Sequence, residues 1–495
     1  MDATGKQILY TAIATLLVIG IAWIWKLNSA LKQTPPEVLA VSPHRWTEQE
    51  IKDTYRRIEA NPIDWVKQLP PRLNRRYIVT GGCGGVGGQI VLHLLARGQS
   101  PESIRIVDFQ KPVRSDLITG SAALVDFAQA DITSPPATSA AFNKPWPKSV
   151  AHLPLTVFHT AAIIQASERS LKTYEHVKRV NVDGVQNVLD ASKQAGADVF
   201  VSTSSASVAY MPVRYWNNPF QRWPENYWQV LDDSDFDRPL RPHAQFFSNY
   251  AYAKATGERL ISEANNPSFR TGLVRPGNGI YGSSHGDQII GLCLRAGTFP
   301  SWTRNIIQNF AHAGNVSLAH LLFEAALLRD EKIMPKCAGR AFTVTDAGPP
   351  PIYDDVYKLL RITATANTAP IKVMYLQPGI MLCLAHIIEW FDLASRTPVL
   401  EWIVPRPKGE LAKLQPAIFT PCSHLLASNE GAGRSIDEGG IGYRPVHNTI
   451  EGVCQQVLEW NIEHQDSAKQ GPQSSAETFV KEIKNVGVMP TAMGA

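Results

Sequence analysis

YIVTGGCGGVGGQIV, residues 77–91, joins a short strand pattern to a glycine-rich turn and the first turns of a helix. Gly81, Gly84 and Gly87 stand at intervals of three residues. Glycines in this position make a tight turn, let the backbone approach a pyrophosphate and allow the helix to pack closely. The amide groups at the helix N-terminus then face the anion. The stretch therefore predicts a dinucleotide-binding turn.

The next strand pattern, IRIVDF, contains an acidic residue that bears on the choice of cofactor. Asp108 lies 21 residues beyond Gly87. A carboxylate at this place accepts hydrogen bonds from both ribose hydroxyls and repels a 2′-phosphate. Lys111 and Arg114, close by in the sequence, oppose this preference. We expect NAD, rather than NADP, as the cofactor.

Short apolar or β-branched runs alternate with helical patterns from Tyr77 onward. Examples are IVLHLLARG, IRIVDF, LTVFHTAA, GVQNVLDASKQAG, VFVSTSSA and TGLVRPG. Such alternation is typical of βαβ units with a parallel sheet covered by helices on both faces. The sequence predicts an α/β fold, a Rossmann-type doubly wound sheet, followed by a smaller and mostly helical substrate domain.

The N-terminus carries an uncharged apolar run, Ile8 to Trp25, that is long enough to span a bilayer. A cleaved signal peptide is the alternative, but no A-x-A site follows the run. The lysine excess after the run, at Lys26 and Lys32, favours a main body on the cytoplasmic side. A second apolar run, Val373 to Phe391, is interrupted by Pro378 and is predicted to form a buried or interfacial helix pair.

Five segments are predicted along the chain. They are a membrane anchor (1–30), a stalk or linker (31–72), an NAD-binding domain (73–282), a substrate-binding domain (283–463) and a disordered, polar tail (464–495).

Composition excludes some classes of function. The 495 residues carry a net charge of +4, without a dense basic cluster, so no nucleic acid is expected as a partner. The six cysteines are scattered and have neither disulfide-framework nor metal spacing. We therefore expect no metal site and a reducing compartment.

NYAYAKATGE, residues 249–258, places a tyrosine and a lysine on one face of a helix. Tyr250 stands four residues before Lys254. An ammonium group near a phenol lowers the phenol pKa from about 10, so that the phenol can exchange a proton with an alcohol. Tyr252 has Thr256, and no cation, at the same spacing, so it is predicted to be a packing or cofactor-side residue.

Several motifs in the same order resemble the extended short-chain dehydrogenase/reductases, and most of all the 3β-hydroxysteroid dehydrogenase/isomerase and sterol-4-carboxylate 3-dehydrogenase group. The similarity covers roughly Arg76 to Trp460. The motifs are TGGCGGVG, ADIT, HTAA, VNVDGVQNVLDA, STSSASVA, YAYAK, LVRPGNGIYG, NFAHAGNVSLAHLL and GIGYRPVHNTIEGV.

The resemblance implies roles for residues in these motifs. Catalysis would fall to Ser205, Tyr250 and Lys254, with Ser204 as the alternative serine. Asn181 would support Lys254 through a bound water. The cofactor would be held by Gly81, Gly84, Gly87, Asp108, Asp131 at the adenine, Ala161 along the cofactor and Lys254 at the nicotinamide ribose. His159 is expected to be a structural hydrogen-bond partner.

A long insert, residues 210–243, separates the serine from the tyrosine and holds eight aromatic residues. A loop of this length is often functional. Three readings stay open at this point: a lid over a hydrophobic substrate, contact with a membrane surface, and packing onto the smaller domain.

Together, these features predict NAD-dependent oxidation of the 3β-hydroxyl of a sterol, triterpenoid or similar polycyclic lipid, with decarboxylation or double-bond isomerisation as follow-on steps. The alternatives are a nucleotide-sugar epimerase or dehydratase, a ketone reductase of a specialised-metabolite pathway, and a cofactor-binding scaffold without turnover. The expected location is the endoplasmic reticulum membrane. Whether the chain forms a homodimer is left open.

Overall fold

The structure is a computed structural model that describes residues 3–465, apart from 217, 219, 283–286, 288, 331 and 368. Residues 466–495, most of the tail predicted to be disordered, lie outside the described residues. The strands are β1 (Arg76–Thr80), β2 (Ile104–Asp108), β3 (Asp126–Gln129), β4 (Leu155–His159), β5 (Ala197–Thr203), β6 (Trp228–Leu231), β7 (Arg270–Pro276), β8 (Ile280–Tyr281), β9 (Thr298–Ser301), β10 (Ala311–His312), β11 (Ala341–Val344), β12 (Lys372–Tyr375) and β13 (His424–Ala427). The helices are α1 (Ala3–Leu31), α2 (Pro36–Val41), α3 (Glu48–Ala60), α4 (Gly85–Ala96), α5 (Ser115–Ile118), α6 (Pro135–Asn143), α7 (Tyr174–Lys178), α8 (Gly184–Gln194), α9 (Asn249–Glu263), α10 (Ile290–Ala296), α11 (Ala313–Leu327), α12 (Tyr353–Thr363), α13 (Pro378–Ala394), α14 (Gly409–Lys413), α15 (Glu430–Gly433) and α16 (Thr449–Glu463).

The main sheet has seven strands in the order β11-β7-β5-β4-β1-β2-β3, and neighbouring strands are parallel. The strand order reverses between β1 and β4. Ligands of such sheets bind in the crevice outside the carboxyl ends of the strands at this switch point. The doubly wound α/β fold predicted from the sequence is therefore confirmed, and the glycine-rich turn after β1 lies at the predicted crevice.

Strand β1 shows why both faces of the sheet are covered. Tyr77 and Val79 point into one core together with residues of α4 and α11. Ile78, between them, points into a second core with residues of α6, α8 and α9. All three side chains are fully buried. Successive side chains of a strand point to opposite faces, so a run of apolar residues needs a helical layer on each side.

The C-terminal half contains a separate core and is interleaved with the sheet. Helices α3, α10, α12 and α16 contribute to this core, through residues such as Ile51, Leu294, Leu360 and Val457. Helix α11 and strand β11, by contrast, belong to the main sheet and its helical layer. Helix α3 lies in the segment predicted as a stalk and begins with a capping box between Thr47 and Glu50. The predicted domain boundaries stay a prediction.

Helix α1 is the one helix of the described residues that is long and apolar enough to cross a membrane. Its large apolar side chains between Ile8 and Trp25 are largely exposed, whereas Leu27 and Leu31 are buried. The buried end packs in a cluster with Leu382 and other residues of the main body. The second apolar run does not form the predicted helix pair, because its first residues pair with β9 as strand β12 and Pro378 begins a single helix, α13.

Candidate active site

The turn after β1 leaves no room for a side chain at Gly81 or Gly87. Gly81 has a φ of +70°, and a Cβ there would lie 2.6 Å from the backbone nitrogen of Ala161 at the end of β4. A Cβ on Gly87 would collide with the carbonyl oxygen of Gly81. Gly84 is the N-cap of α4, whose first amide groups face the crevice. The backbones at the ends of β1 and β4 thus form the close-packed cradle expected of a pyrophosphate site.

Asp108 ends β2 beside this turn. One carboxylate oxygen accepts a hydrogen bond from the Cys83 amide at 3.1 Å, and the other accepts one from the Gln110 amide at 3.2 Å. These bonds hold the carboxylate at the edge of the crevice, the place where the sequence predicts that it meets the ribose hydroxyls of NAD. The Arg114 guanidinium donates to the Gly84 carbonyl at 3.0 Å and to the Asp116 carboxylate at 2.6 Å. Because these bonds engage the guanidinium, Arg114 is not evidence for a 2′-phosphate site.

The other predicted cofactor residues lie at neighbouring strand ends. Asp131 follows β3, is exposed, and accepts a hydrogen bond from the Thr133 amide at 2.8 Å. Ala161 follows β4 and faces Gly81. His159, the last residue of β4, shares a hydrogen bond of 2.7 Å between Nδ1 and the Thr80 hydroxyl. Burial lowers the pKa of His159 to about 3, so this ring is neutral and acts in the structure as a hydrogen-bond partner.

The serine, tyrosine and lysine come together between β5 and α9. Ser248, two residues before Tyr250, caps α9 by accepting a hydrogen bond from the Ala251 amide. The Ser205 hydroxyl lies near enough to the Tyr250 phenol to lower its pKa. Lys254, on the same helix, donates from Nζ to the Thr203 carbonyl at 2.9 Å.

The adjacent serine is used differently. The Ser204 hydroxyl donates to the Glu258 carboxylate at 2.5 Å. Glu258 is also paired with Arg275, at 2.6 Å between Nη2 and Oε2. This buried ion pair was not singled out from the sequence, although Glu258 follows Lys254 by four residues and so shares its helix face.

Burial dominates the ionisation of Tyr250 and Lys254, the candidate catalytic pair. It raises the pKa of Tyr250 to about 12, and the neighbouring Ser205 hydroxyl opposes this rise. Burial lowers the pKa of Lys254 to about 8, with Glu258 acting in the opposite direction. The expectation that Lys254 lowers the tyrosine pKa is not met in this structure. The reason is that a low-dielectric site disfavours both charges, and the ammonium group donates to a carbonyl.

Asn181 lies in a π-helical turn, Arg179–Asp183. Its side-chain oxygen accepts from the Ile163 amide at 3.0 Å, and its side-chain nitrogen donates to the Ile163 carbonyl at 2.9 Å. The side-chain amide of Asn181 therefore fixes the backbone of the segment that follows β4. The backbone oxygen of Asn181 is packed against Gly257 of α9, so contact with the lysine helix is made by the main chain.

A cleft of about 300 Å³ lies beside the residues that precede α9. Its lining includes Tyr215 and Trp216 of the insert, Phe246 and Phe247 before α9, and His386 of α13. Phe247 stacks on the buried Tyr210, at 5.7 Å between ring centroids. Tyr210 in turn lies close enough to Tyr250 for the charge of one phenol to raise the pKa of the other.

The insert packs onto the C-terminal half and onto the base of α1. The Trp216 ring contacts the Trp23 ring edge-on at 6.0 Å, and its Nε1 donates to His386 at 3.0 Å. Packing is thus one of the functions of the insert. Tyr252 lies outside the catalytic contacts, in an aromatic cluster with Tyr174 and His243.

A phenol, a serine hydroxyl and a lysine lie one strand away from a dinucleotide crevice, and this combination defines the short-chain dehydrogenase/reductases. Within that class, the model of the 3-beta hydroxysteroid dehydrogenase/isomerase family matches residues 78–372, more than half of the chain. The chain belongs to this family and is an NAD-dependent oxidoreductase that acts on CH–OH groups. The family predicted from the sequence motifs is therefore confirmed.

Relatives in three organisms match along much of the chain. The mouse 3 beta-hydroxysteroid dehydrogenase type 7 is 29% identical over 413 residues, which cover 79% of this chain and 97% of the mouse protein. The human protein of the same name is 30% identical over 292 residues, 56% of this chain and 70% of its own. The yeast sterol-4-alpha-carboxylate 3-dehydrogenase, decarboxylating, from Saccharomyces cerevisiae is 27% identical over 322 residues, 63% of this chain and 82% of its own.

Solved structures support the fold. The dTDP-glucose 4,6-dehydratase DesIV from Streptomyces venezuelae, with NAD bound, has a TM-score of 0.51 at 17% identity, and the match covers 79% of this chain and 98% of DesIV. The epimerase Mth375 from Methanothermobacter thermautotrophicus has the same TM-score and identity, over 83% of this chain and 97% of its own. At this identity the likeness concerns the fold alone.

Proposed function

We propose that the protein oxidises the 3β-hydroxyl of a sterol or a similar polycyclic lipid with NAD. The observation that carries this proposal is the position of Ser205 near the Tyr250 phenol, with Lys254 one helical turn further on, at the carboxyl end of the sheet and beside the crevice bordered by Gly81 and Asp108. Family membership and the names of the mouse, human and yeast relatives support a sterol alcohol as the substrate.

In the proposed reaction, Tyr250 takes the hydroxyl proton while the hydrogen on the same carbon leaves as hydride. NAD, when bound, accepts that hydride. Ser205 donates a hydrogen bond to the substrate oxygen and holds it in line with the phenol. Lys254 is proposed to bind the nicotinamide ribose and to favour the phenolate once the cleft is filled. The products are a ketone, NADH and one proton.

A carboxyl group on the carbon next to the alcohol would extend the reaction. Oxidation then yields a β-keto acid, whose C–CO₂ bond breaks as its electron pair moves into the new carbonyl to form an enol. No further residue is required for this step. The yeast relative and an Arabidopsis thaliana relative, 3beta-hydroxysteroid-dehydrogenase/decarboxylase isoform 2, carry decarboxylation in their names. A double bond near the new ketone would instead allow isomerisation.

The surroundings of the site fit an apolar substrate at a membrane. Aromatic residues of the insert line the cleft, and α1 is apolar and exposed over the length of a bilayer. We propose that α1 anchors the chain, that the catalytic part faces the cytoplasm and that the membrane is the endoplasmic reticulum. Residues 73–282 would bind NAD and 283–463 most of the substrate. Homodimer formation remains a prediction.

The test is a substrate panel with the purified full-length chain in detergent. Each assay contains NAD or NADP and one substrate: a 3β-hydroxysterol, a 4-carboxy-3β-hydroxysterol or a sugar nucleotide. The absorbance of NADH and the release of CO₂ are measured. We expect NADH with both kinds of sterol, and one CO₂ per NADH with the carboxylated sterols alone. Turnover of sugar nucleotides without turnover of any sterol would overturn the proposal.

A further inference from the structure

Two successive turns of α9 present opposite charges to the end of β5. Lys254 donates from Nζ to the Thr203 carbonyl at 2.9 Å. One turn later, Glu258 accepts a hydrogen bond from the hydroxyl of the next residue, Ser204, at 2.5 Å. Both α9 side chains share one helix face and are buried, at 9 and 2% exposure. Two adjacent residues at the end of one strand therefore hold the lysine and the carboxylate.

Arg275 of β7 fixes the carboxylate of Glu258 further. Its guanidinium donates from Nε to Oε1 at 2.7 Å and from Nη2 to Oε2 at 2.6 Å. Such a two-point, charge-assisted contact sets the direction of a carboxylate as well as its place. Because Lys254 donates to the Thr203 carbonyl, the negative charge of Glu258 acts on the ammonium group through space, from one helical turn away.

Stability alone does not account for a buried ion pair at this place. The cost of taking two charges out of water often exceeds their mutual attraction, and apolar replacements of such pairs are often neutral or stabilising. Arg275 is 1% exposed, so the pair with Glu258 is shielded from water. Burial lowers the pKa of Lys254 to about 8, and the charge of Glu258 opposes that fall. The pair thus places a negative charge where burial disfavours the ammonium group.

We infer that Glu258 is a positioning residue that keeps the side chain of Lys254 charged in the buried site. A charged amine donates a stronger hydrogen bond than a neutral one, so Glu258 supports the binding of the nicotinamide ribose through Lys254. Arg275 holds the carboxylate in place for this task. The inference rests on the proposed role of Lys254 at the ribose, and it does not depend on which alcohol the protein oxidises.

The other titratable groups around Lys254 keep their charge near neutral pH. Burial raises the pKa of Tyr250, on the same helix, to about 12. It lowers the pKa of His159 of β4 to about 3 and that of His320 of α11 to about 4. The His320 ring shares a hydrogen bond of 2.8 Å with the Thr203 hydroxyl. All three side chains are neutral from about pH 6 to about pH 10, so a pH effect of Glu258 in this range reports on Lys254.

Asp235 of the insert offers a matched control. Its carboxylate accepts a hydrogen bond from Nη1 of Arg275 at 2.7 Å, so it pairs with the same guanidinium as Glu258. It belongs to the short 3₁₀ helix Ser234–Asp237 and not to α9, and its side chain is 30% exposed to water, which screens its charge. Asp235→Asn therefore removes a charge of the same sign from the same ion-pair network and should leave the ionisation of Lys254 in place.

The charge on Lys254 is measured by urea unfolding of the full-length chain without NAD, from about pH 6 to about pH 10. Wild-type stability should rise with pH beyond an onset near the folded-state pKa of Lys254, about 8, because the unfolded chain then binds more protons. In Glu258→Gln the onset should lie about one pH unit lower, the effect of losing one nearby opposite charge. Asp235→Asn should keep the wild-type onset.

A difference between Glu258→Gln and the wild type that is constant with pH would overturn the inference. An equal displacement of the onset in Asp235→Asn would do the same. In a Lys254→Met background, Glu258→Gln should add no pH-dependent change. If Glu258→Gln does not fold, the double variant with Arg275→Met removes both charges of the pair, and its onset should still lie lower because Glu258 is the charge that supports Lys254. An unmoved onset there would contradict the role of Glu258.

The consequence for the ribose is measured by calorimetric titration with NAD over the same pH range. Wild-type affinity should fall above about pH 8 as Lys254 loses its proton. Glu258→Gln should bind NAD about fivefold more weakly than the wild type at pH 8 and about equally at pH 6, the result of a one-unit shift. Glu258→Asp keeps the charge and should recover most of the affinity.

An equal loss of NAD affinity at every pH would reduce Glu258 to a structural link between α9 and β7 and would overturn the inference. A wild-type affinity that does not change with pH would remove Lys254 from the ribose, while the unfolding experiment still decides its charge. If the protein oxidises no sterol, the proposed function fails, and both measurements on Glu258 stand unaffected.

Discussion

The Ser204 hydroxyl lies 2.5 Å from the Glu258 carboxylate, so this serine is engaged in the ion pair, whereas its neighbour, Ser205, acts on the Tyr250 phenol and lowers its pKa. Alternate residues of β5 point to opposite faces, and the strand end therefore separates two adjacent serines of identical chemistry. The sequence left both as candidates. The contacts favour Ser205 for the proton-transfer site and Ser204 for the buried ion pair.

Ser205→Ala should move the pH profile of alcohol oxidation. Oxidation needs the phenolate of Tyr250, and the Ser205 hydroxyl lowers the pKa of that phenol. Without it the pKa rises, so the ascending limb of kcat/KM moves to higher pH. Ser204→Ala should leave the limb in place and lower the free energy of unfolding by about 1–3 kcal/mol, because a hydrogen bond to a buried carboxylate is lost. The opposite pattern would assign catalysis to Ser204.

Tyr250→Phe should lower kcat by about 10²–10⁴-fold, the contribution of a positioned proton-transfer group. NAD affinity, measured by titration of protein fluorescence, should change little. Tyr252→Phe is the matched control, because Tyr252 shares the helix and packs in an aromatic cluster away from Ser205. Equal losses of kcat in the two variants would contradict the assignment of the base.

Gly81→Ala should abolish NAD binding. The substitution adds a Cβ that lies 2.6 Å from the Ala161 nitrogen, and it places alanine at a φ of +70°. Gly196→Ala separates these effects, since Gly196 has a φ of +76° with no atom within 4 Å of the added Cβ. We expect about 1 kcal/mol or more of backbone strain in both variants. In calorimetric titration, Gly81→Ala should lose NAD binding and Gly196→Ala should retain it. If Gly81→Ala also bound NAD, the turn at Gly81 would not be part of the cofactor site.

Asp108→Ser should narrow the preference for NAD over NADP, measured as the ratio of kcat/KM values. The variant loses hydrogen bonds to the ribose and the repulsion of a 2′-phosphate. The expected change in the ratio is about tenfold or more, as for a bond to a charged group. Asp131→Ser, predicted to act at the adenine, should weaken NAD and NADP alike. A ratio that changes only in the Asp131 variant would show that the two roles are exchanged.

The low pKa of Lys254 should make the free energy of unfolding depend on pH in the wild type, and Lys254→Met should lack this dependence. The pKa falls from 10.5 in the unfolded chain to about 8 in the folded protein, so the unfolded state binds more protons between these values. Stability of the wild type therefore rises with pH across this window, relative to Lys254→Met. Urea unfolding at pH values from below 8 to above 10 measures the difference. A difference that is constant with pH would contradict the burial of the ammonium group.

The sequence alone was sufficient to predict the parallel sheet, the glycine-rich turn and the placement of Tyr250 and Lys254 on one helix face, because these features depend on local spacing. Gly81, Gly84 and Gly87 need only three-residue intervals after a strand, and Tyr250 and Lys254 need only one turn of helix. The long apolar run before Trp25 likewise predicts a helix able to span a bilayer, whatever it packs against.

Only the tertiary structure decided which serine lies near the Tyr250 phenol, that Arg275 pairs with Glu258 behind Lys254, and that the first turn of α13 is bonded to Asn28 of α1. These relationships join residues far apart in the chain, and their energies come from burial and from charges in a low-dielectric interior. The direction of the Tyr250 pKa shift has the same origin. A four-residue spacing predicts a neighbouring cation, but desolvation, which outweighs it here, depends on everything that packs around the phenol.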